Sequence, residues 1–388
     1  MKKQLLTCVF LFLLIVAKSE TVRHPELVDS VLVFPLQAQH VHGSSVVELP
    51  DGDFLLAWFQ GSGERTADDV RIMGARLKKG TKKWSTPFEL ADTPHLPDCN
   101  PVLFMAEGKL FLVWIAVLAN QWEHSILRVR STTAFGKAGA PEWQWQDNIL
   151  LKPDERFVEE AVNRFRELPP LHHGWSAYAP KYDELTIEAA KDPGKRSIGW
   201  MTRIKPLVLA HRILLPLYSD GFNFSMLAIS EDGGHSWKPS LPIVGRGPIQ
   251  PALAQRTDGT LVAYMRDSGD APARVQVSES TDGGWSWTAA HKSDIPNGAS
   301  VDVLVLDDGR WAMLGNDVDD GRYRLSLYFS DDQGKTWPVK LPIEYDVSKR
   351  GRYSYPSLIQ GSDGLLHMSY SYHLHGEEKA IKYVTVKP

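Results

Sequence analysis

Three octets decide the reading of this chain: SEDGGHSW from Ser230, STDGGWSW from Ser280 and SDDQGKTW from Ser330, spaced at steps of 50 residues. Each places a Ser first, an Asp two residues later, a Gly in the turn, a Ser or Thr, and then a Trp. The Asp carboxylate can accept backbone amide hydrogens within a tight turn, the Gly takes positive φ, and the indole packs underneath. The octet is therefore a structural staple for a hairpin. A fixed step of this length marks a repeat architecture.

A second signal recurs around the first. A turn followed by a short apolar run appears in LPDGDFLLAW at Gly52, AEGKLFLVW at Gly108, RTDGTLVAY at Gly259, LDDGRWAML at Gly309 and GSDGLLHMSY at Gly364. LVLAHRILLPLY around His211 repeats the pattern without the glycine. Each reads as two strands joined by a turn. Six such hairpins imply six four-stranded units, the signature of an all-β, six-bladed β-propeller. The strand SVLVFP (30–35) is expected to pair with the last blade and close the ring.

The step from Gly108 to His211 is too long for one blade. DERFVEEAVNRFRELPP (154–170) has apolar residues at helical spacing, and KYDELTIEAAKDPG (181–194) reads as a second helix ended by Pro-Gly. A small helical insertion over about 151–196 follows. Between the two helices lies LHHGWSAYAP, whose His172, His173, Trp175 and Tyr178 either wall a binding subsite or bury the insertion on the propeller rim.

Composition bounds the function. The 388 residues carry a formal net charge of -4 with 43% hydrophobic residues, and no basic run interleaved with aromatics occurs, so nucleic acid is set aside. Residues 1–19 read as an export signal: Lys2 and Lys3, an apolar stretch from Leu5 to Ala17, then a small-residue cleavage site. The remainder, 20–388, is expected to be one secreted or periplasmic domain with no membrane span. Of the two cysteines, Cys8 lies in the signal and Cys99 is left without a disulfide partner.

The octet is the Asp-box, and with six blades the chain resembles the sialidase superfamily over about residues 35 to 385. HGSSVVELPDGDFLLAWF, CNPVLF and SYPSLIQGSDGLLHMSY look like its BNR-repeat, sialidase-like branch. The resemblance implies an exo-acting glycoside hydrolase of the sialidase type, with no cofactor, acting on an acidic, carboxylate-bearing sugar of a glycan. It implies a set of arginines for the sugar carboxylate, an Asp acid/base, and a Tyr nucleophile partnered by a Glu. Arg322, eight residues before Ser330, and Arg266, closing GTLVAYMR, match two of the arginines. Tyr355, nine residues before Gly364, matches the nucleophile. Asp69 in TADDVRI matches the acid/base, with Asp68 as its neighbour. Arg203 and Lys205 in RIKPLVL can add positive charge.

Two positions depart from the pattern. His42, in HGSS, stands where the first arginine is expected, and Gln250, in PIQP, stands where the glutamate is expected. A glutamine cannot take the phenol's proton, whereas a histidine can act as acid or base near neutral pH. Two alternatives therefore stand beside the hydrolase: a uronate-directed lyase or glycosidase using His42 and Tyr355, and a non-catalytic carbohydrate-binding propeller. His40 with His42 and His373 with His375 form two H-x-H pairs, but no third ligand follows at a recognisable spacing, so no metal is expected.

Overall fold

The computed structural model describes residues 24–136, 138–170, 181–375 and 378–388. The expected signal segment and the LHHGWSAYAP stretch lie outside the described residues. What is described forms six antiparallel sheets in a ring. The inner strands of the six blades are His40–Glu48, Asp98–Ala106, Trp200–Thr202 continued by Leu207–Leu209, Pro248–Gln255, Asp302–Val305 and Arg352–Gln360. The third is broken in two, with both parts pairing to Arg212–Ser219, and the break contains Pro206, which has no amide to donate to the ladder.

The ring closes as expected. Glu26–Leu32 pairs antiparallel with Lys379–Lys387 and becomes the outer strand of the sixth blade, so the chain's two ends lock one sheet. The D-G turns at Gly52, Gly259, Gly309 and Gly364 lie between the inner and second strands of their blades, each glycine at φ between 79 and 89.

Blades hold together by burying apolar faces against their neighbours. One buried cluster joins blades six and one through Trp58, Phe54, Ile381 and Tyr383. Others join three to four through Leu227 and Leu261, four to five through Tyr264 and Trp311, and five to six through Leu327 and Leu358. The largest spans blades one to three and takes in the helices. The second strands run almost wholly buried, as in Lys109–Val117, because both faces of each inner sheet are covered.

The Asp-boxes link the third and fourth strands of blades three, four and five. Asp282 accepts from the Ser286 amide and hydroxyl at 3.0 and 2.5 Å and from the Trp285 amide at 3.0 Å, while the Ser280 hydroxyl binds it at 2.8 Å. The turn glycine allows close docking on the preceding blade: a Cβ on Gly334 would clash with the Tyr264 hydroxyl of blade four. Trp287 is buried against the core between blades three and four.

Among the described residues the insertion forms three helices rather than two: α1 (Arg156–Glu167), α2 (Tyr182–Ala190) and α3 (Pro193–Ser197). The Asp-Pro pair explains the difference. Asp192 accepts from the Gly194 amide as a cap and Pro193 occupies the first helical position, so the chain restarts a helix where the sequence reading ended one. Helix α1 buries Phe157 against Trp200, Phe222 and Phe224 of blade three. No helix among the described residues is long and apolar enough to cross a membrane.

The meander sorts the loops by face. In every blade the turns joining first to second and third to fourth strands, D-G turns and Asp-boxes among them, fall on one face, while the starts of the inner strands, the ends of the second strands and the loops joining second to third strands fall on the other. The Asp-boxes are therefore remote from anything built at the inner-strand starts. Asp282→Ala is expected to lower unfolding stability by about 1 kcal/mol, since its bonds are partly solvent-screened. Denaturant titration checks this, and ligand binding or turnover at the opposite face should stay unchanged.

Candidate functional site

Four inner strands slip register at the same level. The shifts fall between His42 and Ser45, Cys99 and Val102, Ile249 and Ala252, and Ser354 and Ser357. Each contains one left-handed residue: Gly43, Asn100, Gln250 and Tyr355, at φ of 64, 51, 58 and 54. Three of these precede proline, whose missing amide leaves the ladder without a bond at that point. A bulge re-aims side chains, and a left-handed non-glycine residue costs of order 1–3 kcal/mol unless its surroundings hold it. The strain is concentrated at the mouth of the central channel.

The re-aimed side chains meet there. Tyr355, 9% exposed, presents its hydroxyl to Arg266 Nη1 at 3.2 Å. The guanidiniums of Arg203 and Arg322 stand 5.0 and 5.2 Å from its ring centroid, and the His42 ring lies 4.1 Å away. The Gln250 carboxamide acts on both the Tyr355 and Tyr218 phenols, and Asn100 donates to the Tyr218 hydroxyl at 3.1 Å. Gln250 Oε1 is buried with no partner. Burial pushes the Tyr355 phenol up, but Arg266 and Arg322 outweigh it and hold the phenol below its ordinary value.

The cations differ in what they are free to do. Arg203 is wholly buried and donates to the carbonyl oxygens of Ser44, Tyr355 and Pro356. Lys205 is tied to Asp302 at 2.5 Å, and Asp302 also accepts from the Leu358 amide. Arg203 and Lys205, expected to add charge for a ligand, make their hydrogen bonds to the framework, with Arg203 Nε left buried and unpartnered. Arg266 and Arg322 have no carboxylate partner among the described residues. Arg352, exposed at the start of the sixth inner strand, has none either, and its charge acts on Arg322. Sequence spacing missed Arg352; its position three residues before Tyr355 is the signal that could have found it.

His42 stands beside Tyr355 as an uncharged group. Its Nδ1 pairs with the Ser371 hydroxyl at 2.7 Å. Burial first, then His373, Arg322, His40 and Arg203, hold its pKa well below the ordinary value. His373 donates to the Val41 carbonyl, and burial sets it at about 4. His40, His42 and His373 gather with ring centroids 5.3 to 6.2 Å apart, yet no group of side chains among the described residues is arranged to hold a metal ion.

Asp69 does not face this centre freely. Its carboxylate accepts from the Ser62 amide at 2.8 Å and the Ser62 hydroxyl at 2.5 Å, and those bonds hold its pKa below the ordinary value. Asp68 accepts from Asn120. A carboxylate so committed makes a poor proton donor. Glu64, in the same loop and passed over in the sequence, is the one whose charge acts on Tyr355.

A family model described as a BNR repeat-like domain matches residues 52–158 and 191–368, leaving out most of the helical insertion. No curated protein matches the chain in sequence. Among solved structures, a protein of unknown function from Dyadobacter fermentans is similar at 16% identity and a TM-score of 0.69, covering 94% of this chain and 100% of that one. The NanB sialidase of Streptococcus pneumoniae is similar at 12% identity and 0.63, covering 92% and 70%. The intramolecular trans-sialidase of Ruminococcus gnavus is similar at 13% and 0.60, covering 89% and 94%. The likeness to these structures is one of fold.

Two outcomes follow from the electrostatics. Phenolate absorbance, with Tyr355→Phe subtracted, should show Tyr355 titrating below the usual ~10, and Arg266→Gln should move that point upward by removing a cation. Second, unfolded histidines take a proton below about pH 6.5, whereas native His42 and His373 do not until lower pH. The unfolded state then binds more protons, so stability falls as pH drops below 6.5, with a slope of up to about 2.7 kcal/mol per pH unit for the two groups. Calorimetry across pH 4 to 7 measures it.

Proposed function

Because this chain belongs to the BNR repeat-like domain family, we propose that it is an exo-acting glycoside hydrolase that removes an acidic sugar from a glycan. One observation carries the reading: an acidified tyrosine hydroxyl sits among guanidiniums that have no carboxylate partner of their own. Planar guanidiniums suit a bidentate carboxylate, so Arg266, Arg322 and Arg352 would orient the sugar's carboxylate. That places the anomeric carbon over Tyr355.

The phenolate then attacks the anomeric carbon while a carboxyl of loop 62–69 protonates the leaving oxygen, and water releases the sugar in a second step. Gln250 cannot act as the base for the phenol; in this reading the two arginines do that work by favouring phenolate directly. The chain is further proposed to be exported under a signal at residues 1–19 and to act outside the cytoplasm, where such glycans are met.

One observation favours a second reading. His42, neutral and packed on Tyr355, can accept the C5 proton of a uronate while the arginines stabilise the enolate, giving β-elimination.

Purified mature protein should release the fluorophore from a fluorogenic sialoside. Tyr355→Phe should reduce kcat by about 100-fold or more, and Arg322→Ala should raise KM by about 30-fold, the lower end for a desolvated charge pair. Unsaturated product from uronate oligosaccharides, lost with His42→Ala, would replace hydrolysis by elimination. Silence in both arms, with glycan binding retained, would leave a binding propeller.

A further inference from the structure

We propose that Glu64, not Asp69, is the carboxyl that exchanges the proton with the glycosidic oxygen, and that His40 positions it; this rests on the hydrolase reading above. Loop 62–69 joins the second and third strands of blade one on the face of the site. Nearly every polar group in it is a tether. Asp69 closes the loop on Ser62, and the Ala67 amide donates to the Gly63 carbonyl. Asp68 binds Asn120 of the blade-two loop at 2.7 Å. Arg65, itself left-handed at φ 65, bonds Asp220 of the blade-three loop at 2.7 Å and lies 4.1 Å over the Trp122 ring.

Glu64 is the exception. Its carboxylate faces His40 Nε2 at 3.3 Å, with the two side chains 23% and 19% exposed. Its charge acts on the Tyr355 phenol and on the Cys99 thiol. Asp69 is not among the charges that act most on that phenol. The tethers to two other blades therefore hold one partly exposed carboxyl against His40, with its charge acting on the nucleophile.

His40 supplies the orientation. Its ring is set beside His42 at 5.8 Å, His373 at 6.2 Å and Phe59 at 5.8 Å. Nε2 is buried and makes no hydrogen bond within the described residues; Glu64 is the group it faces. An imidazole fixed on three sides and aimed at a carboxyl is a positioning residue, and it touches no substrate.

The chemistry balances with this assignment. In the first step Glu64, protonated, gives its proton to the glycosidic oxygen as that C–O bond breaks and the Tyr355 oxygen bonds to the anomeric carbon. The leaving group departs as an alcohol. In the second step the Glu64 carboxylate takes a proton from water as the water oxygen bonds to the anomeric carbon and the Tyr355 C–O bond breaks.

Two glycosides of the same acidic sugar test it, one with a nitrophenolate leaving group that needs no proton and one with an alkyl group that does. Glu64→Gln should hold the rate on the first within about tenfold and lose about 100-fold or more on the second, with azide restoring turnover on the first. His40→Gln should fall between and shift the acid limb of the pH–rate profile. Asp69→Asn should affect both glycosides alike. Equal loss on both from Glu64→Gln, or a leaving-group dependence in Asp69→Asn, would overturn the assignment.

A substrate-free arm separates this failure from failure of the hydrolase reading. Glu64→Gln should lower the titration point of the Tyr355 phenol, because a nearby negative charge is removed, and Asp69→Asn should leave it in place. Native protein that hydrolyses neither glycoside would overturn the hydrolase reading, and the catalytic role of Glu64 with it. A phenol that responds to Asp69→Asn and not to Glu64→Gln would remove Glu64 alone.

Discussion

Arg203 is a buried guanidinium whose hydrogen bonds go to backbone carbonyls, and the site depends on it. It reaches from the broken inner strand of blade three to the bulge carbonyls of blades one and six. Burying such an ion costs several kcal/mol unless its donors are met, and desolvation draws its pKa down to about 10, still well above neutrality. What it stabilises is the left-handed turn at Tyr355, whose carbonyl and ring it holds together. Cross-blade bonds do the same around the channel: Ser45 takes the Leu103 amide, Thr202 donates to the Asn100 carbonyl, and Ser357 takes the Val46 amide. A ring of sheets would otherwise have little reason to keep four bulges at one level.

From that frame the electrostatics follow. Arg203 is spent on carbonyls and Lys205 on Asp302, so the charge left to meet a ligand is that of Arg266, Arg322 and Arg352. His42 and Gln250, where the resemblance implies an arginine and a glutamate, are both uncharged. Together they remove one cation and one anion from around Tyr355. The balance at the phenol is thereby set by two arginines pulling its pKa down against burial and Glu64 pushing it up. That arrangement favours phenolate without a dedicated base.

Much of the fold was legible because the repeat acts through local chemistry. Asp-boxes and D-G turns are fixed by residues within a few positions of each other, and their period gave six blades and the closing strand. Tyr355, Arg266 and Arg322 could be placed by their distance from those turns. Spacing alone does not reveal where a side chain makes its bonds, so it could not show that Arg203 bonds to backbone carbonyls and Lys205 to Asp302. It also missed Glu64, which sits in a loop away from any repeated turn, and Arg352, whose place three residues before Tyr355 on one strand went unused. The dipeptides Asn100-Pro101, Gln250-Pro251 and Tyr355-Pro356 were the signal of the bulges, since a proline without an amide marks where an inner strand can leave its ladder.

In the proposed mechanism the phenolic oxygen of Tyr355, acidified by its arginines, is the atom that bonds to the sugar. A fluorinated acidic glycoside with an activated leaving group, slow to turn over, would trap the intermediate for peptide mass spectrometry. The account predicts an adduct on the peptide bearing Tyr355, absent from Tyr355→Phe and weakened in Arg266→Gln. Turnover of the parent glycoside with the adduct on another residue, or with none formed, would contradict it.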